Sequence, residues 1–243
     1  MKVVLLSHFW HPIAEPFVGG TEAFLSRFAS ALLQQGIEVI CYVCEGSSIP
    51  GVEIRTLGVS REALAFPPAL DKMSGEARIA LRDYEDAVMW AAINDACSDP
   101  SIDIIHNNSF SAMPFYLSTL IQKPILHTLH LPPVIPTMAG AVRFCHEHGR
   151  VLQLVAGSQA HAQSWQAYYP VRQIISYRFD TETLPPYNLQ EMAAAVPRTN
   201  LLDRARCAIY AREQYSIVKS VEQYLTLFKS LLKDPLERGS SQI

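Results

Sequence analysis

Five short groups of polar residues in this chain could do chemistry. They are Ser7-His8, Gly19-Gly20-Thr21-Glu22, His106-Asn107-Asn108-Ser109, His127-Thr128-Leu129-His130 and Gly157-Ser158. Two glycines ahead of an apolar-periodic segment let a ligand approach backbone N–H groups that open a helix, where the dipole favours negative charge. That chemistry suits a phosphate or a sugar hydroxyl. Histidines can exchange protons near neutral pH, although a single histidine at a strand end is ordinarily a hydrogen-bonded structural residue. Four polar groups on one sheet edge would describe a binding cleft.

Sharper chemistries fit less well. The glycine loop is not G-x-G-x-x-G, no G-x-x-x-x-G-K-[ST] occurs, and Gly157-Ser158 lacks the full G-x-S-x-G elbow of hydrolases. His127 with His130, and His146 with His148, have no carboxylate or thiolate to complete a metal centre, so no metal site is expected. Cys41 and Cys44 sit at odd spacing within an apparent strand, which places them on opposite faces as core thiols.

The elements that must position these residues alternate. Strands are expected near Val3–Ser7, Ile37–Val43, Val52–Leu57, Ile102–His106, Pro124–Leu129, Val151–Ala156 and Gln173–Ser176. Helices are expected over Thr21–Gln35 (capped by Thr21), from about Ser74 to Cys97, over Phe110–Ile121, within Ala139–His148 and over Gln159–Tyr169. Continuous apolar strands separated by helices imply an α/β, doubly wound parallel sheet, with ligands bound beyond the carboxyl ends of its strands. Gly58–Lys72 should be an irregular excursion. After Asp180 the pattern breaks at Leu184-Pro185-Pro186-Tyr187, and helical periodicity follows. Leu201, Leu202, Ala205 and Ala208 suggest one apolar face, and Val218, Val221, Leu225, Phe228 and Leu232 another. The expected organisation is one domain over 1–180, a linker over 181–199 and docked helices over 200–235.

Composition narrows the classes of function. Nearly half of the 243 residues are hydrophobic and the net charge is −3, which gives no electrostatic reason for nucleic acid as a partner. No run approaches the ~18 apolar residues of a membrane span, and Val3–Leu6 is too short for a signal peptide core. Five cysteines without framework spacing suit reduced thiols. A cytoplasmic protein is expected.

Taken together these residues resemble the N-terminal domain of family 4 glycosyltransferases, retaining enzymes built from two facing Rossmann-like domains (GT-B). Val3–His8 is similar to the family's first strand, and Gly19-Gly20-Thr21-Glu22 to its Gly-Gly-x-Glu loop. Ile102–Asn107 and Pro124–His130 resemble its next motifs, and Val155–Ser158 its strand ending in Ser. The resemblance covers about residues 1–183. It implies His130 as the catalytic candidate, with Gly19, Gly20, Glu22, His8, Asn107, His127 and Ser158 around the substrates. It also implies a nucleotide-sugar as donor substrate, with no separate cofactor.

The family's Gly-Arg…Lys-Gly and Glu-x7-Glu segments are not found in context; Glu45 and Glu53 have the second spacing but flank a loop. Residues 204–232 nonetheless resemble the family's final helices. The chain thus reads as the acceptor-side half of a transferase, with the donor-binding portion cut out near Glu182–Tyr187. It should be nearly inactive alone, bind UDP or GDP weakly, and need a donor-domain partner or self-associate. Phe9, Trp10, Pro12 and Phe17, with Leu131-Pro132-Pro133-Val134, are expected to form an uncovered apolar patch beside the cleft. A non-catalytic relative that binds carbohydrate or protein is the other reading.

Overall fold

The computed structural model describes residues 1–60, 74–176 and 216–233. Short apolar runs between turns form seven strands: β1 Lys2–Leu6, β2 Glu38–Tyr42, β3 Glu53–Arg55, β4 Ile104–Asn107, β5 Ile125–Leu129, β6 Gln153–Ala156 and β7 Gln173–Ile174. The described helices are α1 Gly20–Gln34, α2 Gly75–Ser98, α3 Met113–Leu117, α4 Pro136–Glu147, α5 Gln159–Trp165 and α6 Ile217–Lys233. Every strand pairing is parallel, and the strands form one sheet in the order β3-β2-β1-β4-β5-β6-β7. This is the doubly wound α/β arrangement expected from the alternation. The chain winds outward from β1 in both directions, so the topological switch point lies between β1 and β4.

Alternation along β1 shows why its run is apolar throughout. Val3 and Leu5 face Phe24, Phe28 and Leu32 of α1, together with Val221, Tyr224 and Phe228 of α6. Val4 and Leu6 face Met89, Ala92 and Ile93 of α2. Each such side chain contributes about 1.5–3 kcal/mol by leaving water, and a sheet covered on both faces needs no polar alternation. A third cluster packs around Trp165, beneath α4 and α5. Cys41 lies in the first cluster and Cys44 in the second, on opposite faces as their spacing requires.

Three local expectations are corrected. The N-cap of α1 is Gly19 and makes no side-chain cap; Thr21 is already inside the first turn, where its hydroxyl cannot serve that role. The expected helix over Phe110–Ile121 contracts to Met113–Leu117, because the Ser111 hydroxyl holds the preceding loop by donating to Asp86 and accepting from the Met113 N–H. α5 ends at Trp165 rather than Tyr169. The other end of α1 follows its glycine. Gly36 adopts φ +73°, its N–H donates to Leu33, and Ile37 N–H donates to Leu32, a Schellman closure.

α6 packs against α1, with Val221, Tyr224 and Phe228 fully buried. The 181–199 linker, the Leu201–Ala208 helix face and most of the Gly58–Lys72 excursion lie outside the described residues. Among those described, no helix is long and apolar enough to cross a membrane.

Candidate functional site

Parallel strands deliver their carboxyl ends to one edge. β1 exits into Ser7 and His8, and β4 exits into Asn108 and Ser109, all of them buried. The Asn108 N–H donates to the Leu6 carbonyl at 2.8 Å, which joins the two exits at the switch point. β5 ends one residue before His130, which is half-buried.

His8 and Glu22 form the first wall of the site. His8 Nε2 lies 3.5 Å from Glu22 Oε1, and each side chain is only 3% exposed. Glu22 occupies the third position of α1, where a carboxylate complements the helix dipole, and it folds back over Gly19. A Cβ on Gly19 would come within 2.8 Å of Glu22 Oε2, whereas one on Gly20 would meet nothing within 4 Å. Phe110 stacks on the His8 ring at 5.2 Å, and Trp10 packs on both at 5.3 Å. Burial, with His11 adding to it, holds the His8 imidazole down to about 3, so it is neutral at physiological pH.

His130 forms the second wall. Its Nε2 is 3.0 Å from Asn108 Oδ1, and its ring meets Phe24 of α1 edge-on at 5.1 Å. Burial again, then the neighbouring His8 and His161, keeps this imidazole down to about 3. The glycine-led helix start and His130 are therefore linked through α1 itself, by Glu22 on one turn and Phe24 on the next.

The remaining candidates are placed differently. Asn107 and His127 are fully buried; Asn107 Nδ2 lies 3.1 Å from His127 Nδ1, and His127 stacks on Phe115 at 4.4 Å. Ser158 is exposed and caps α5 by accepting from the His161 N–H. His161 and Trp165 both contact the Leu131 carbonyl, which anchors the segment after His130. Among the described residues, no group of three or more His, Cys, Asp or Glu side chains is placed to hold a metal ion.

The expected apolar patch is also corrected. Phe9 is fully buried in the core against α2, and Phe17 packs on the opposite cluster. Val18 and Val134 are each 66% exposed, and Pro132 of the expected patch is exposed as well.

Phe110 and Glu85 carry no signal of their own in the sequence, and the roles of Asn108 and Trp10 depend on the fold. Asn108 was indistinguishable from Asn107 until the end of β4 was known. Trp10 and Phe110 sit in loops whose direction no periodicity reports. Glu85 lies on α2, with its Oε1 buried and without a hydrogen-bond partner among the described residues. Burial and the adjacent Asp86 raise Glu85 to about 7, against the opposing influence of Trp10.

Chemically, the edge combines a helix start with unsatisfied backbone donors, a buried carboxylate and neutral imidazoles. Ser7 Oγ and His8 Nδ1 are buried without hydrogen-bond partners among the described residues. Such groups ordinarily cost about 1–3 kcal/mol each, which a polar ligand at this edge would offset.

A parallel sheet with polar residues gathered at its switch point has the architecture of one half of a GT-B glycosyltransferase. Residues 18–177 match the profile of Glycosyltransferase Family 4. The match spans well over half of the 243 residues, and the chain belongs to this family as a glycosyltransferase-like protein. It begins at Val18, near the end of the first loop, so β1 and His8 are placed by the fold alone. No curated relative matches the chain.

Proposed function

We propose that this chain forms the acceptor side of a retaining sugar transfer from a nucleotide-sugar, completed by a donor-binding polypeptide. The observation that carries the reading is Gly20. It opens α1 with nothing near the place of its missing side chain, so the fold itself makes no steric demand for glycine there. A ligand approaching the helix start would make that demand. His130 and Glu22 flank this approach and supply contacts to it.

The donor enters as a substrate, and no further cofactor is invoked. A diphosphate leaving group needs its developing charge stabilised, and each preorganised donor is worth about 2.7–4 kcal/mol. The Gly-Arg…Lys-Gly pattern expected for that role does not occur within these 243 residues. The same observation favours a second reading, a relative that binds an acceptor or another protein without transferring a sugar.

Turnover with UDP- and GDP-sugars separates the two, measured on the purified chain with and without candidate donor-domain polypeptides. Transfer only in the mixture supports the first reading. Carbohydrate binding with no transfer in any mixture supports the second. Low-micromolar nucleotide binding by the chain alone would overturn the need for a partner.

A further inference from the structure

The geometry points to Asn108 as a positioning residue for His130: its amide locks the imidazole as the Nε2–H tautomer and makes Nδ1 a hydrogen-bond acceptor. The assignment follows from a chain of groups with only one role each. The His106 carbonyl oxygen can only accept, and Asn108 Nδ2 lies 3.0 Å from it. The amide nitrogen therefore faces His106, and Oδ1 faces His130 at 3.0 Å. An amide oxygen can only accept, so His130 Nε2 carries the hydrogen. In a neutral ring the lone pair then resides on Nδ1.

The lock is rigid. Asn108 is fully buried, and its own backbone N–H is held by the Leu6 carbonyl at 2.8 Å. The Phe24 edge at 5.1 Å limits rotation of the imidazole on its other side. Rotating the amide by half a turn would set Oδ1 against the His106 carbonyl, an acceptor facing an acceptor, and lose that bond in a buried place.

One consequence rests on the transfer reading above. A group that meets Nδ1 must donate a hydrogen, as a sugar hydroxyl does and a fully ionised phosphate oxygen does not. A sugar hydroxyl, rather than an ionised diphosphate, is thus the kind of substrate group whose chemistry matches this ring. Asn108 acts only through His130, which makes it a positioning residue.

The test uses long-range 1H–15N correlation spectra of the full chain, which report which ring nitrogen carries the proton. The His130 signals are assigned by their loss in His130→Gln. The expected result is an Nε2–H ring at neutral pH that stays unprotonated to well below pH 6. In Asn108→Ala the ring becomes a mixture of tautomers, because no acceptor then fixes the hydrogen on Nε2, while its low titration point, set by burial with His8 and His161, does not rise. Asn108→Asp keeps an acceptor, so the Nε2–H form persists while the added carboxylate raises the titration point.

A wild-type ring protonated on Nδ1 overturns the proposal. So does an Asn108→Ala protein whose His130 tautomer is unchanged. If Asn108→Ala fails to fold, the wild-type tautomer and the Asn108→Asp shift decide alone. No substrate enters the measurement, so its outcome is separate from that of the transfer reading.

Discussion

The two glycines that open α1 have different reasons to be glycine, and substitution separates them. In Gly19→Ala the new methyl would sit 2.8 Å from Glu22 Oε2, forcing the carboxylate off His8. Loss of this buried contact should cost about 1–2 kcal/mol, read from the urea midpoint. Gly20→Ala meets nothing and replaces the poorer helix former, so its stability should hold or rise by up to about 1 kcal/mol. Its ligand binding, followed by calorimetry, should nevertheless fall at least tenfold if a substrate approaches the helix start closely. Unchanged binding in Gly20→Ala would remove the main support for the proposed site. The Gly-Gly pair, His8 and His130 could be read from the sequence because strand-end polarity and a glycine-led helix are local signals. Asn108 could not, because which of two adjacent asparagines leaves the strand depends on where the β1–β4 pairing stops.

At the scale of elements, α6 is tied to the centre of the sheet by a polar chain as well as by packing. Tyr224 Oη is 2.8 Å from Thr128 Oγ1, which is 2.7 Å from His106 Nε2. The Tyr224 ring also meets Phe28 at 4.9 Å, and Phe28 stacks on Phe24, the residue against His130. Tyr224→Phe keeps the ring and removes the hydroxyl, so it should cost about 1–2 kcal/mol. Tyr224→Ala also opens a cavity, and a cost nearer 3–5 kcal/mol is expected. Equal losses in the two variants would mean that packing contributes little. All seven strands were legible, because a sheet buried on both faces needs continuous apolar runs and the turns between them interrupt those runs. α3 was misjudged because Phe110 and Ser111 satisfy helical periodicity while a tertiary bond from Ser111 to Asp86 holds them in a loop. The apolar first loop was misjudged for a related reason. Phe9 turns inward onto α2, a direction that no local pattern encodes.

The molecule holds three buried histidines and the half-buried His130, and these rings shape its response to pH. His8, His127 and His130 are each held down to about 3, chiefly by burial, and His106 is pushed well below its ordinary value for the same reason. Unfolding returns these rings to water, where they titrate near 6.5. Between about pH 6.5 and pH 3 the unfolded chain therefore binds more protons than the folded one, and stability falls as the pH falls. Each such proton removes about 1.4 kcal/mol per pH unit across that window. Glu85 works in the opposite sense. It is raised from 4.5 to about 7, so the folded chain holds its proton longer and stability declines as the pH rises through that interval. Several histidines against one carboxyl leave a net loss on the acid side, with these groups contributing little further change above pH 7. Urea unfolding at pH 7.5 and pH 5 should show a lower midpoint at pH 5. His127→Gln tests the source, because this ring touches Asn107 and Phe115 and lies away from the proposed ligand approach. The variant should lose part of the difference between the two pH values even if it is less stable at both. A midpoint independent of pH over this range would show that the rings are already protonated in the folded chain, and the neutral-imidazole description of the cleft would fail with it.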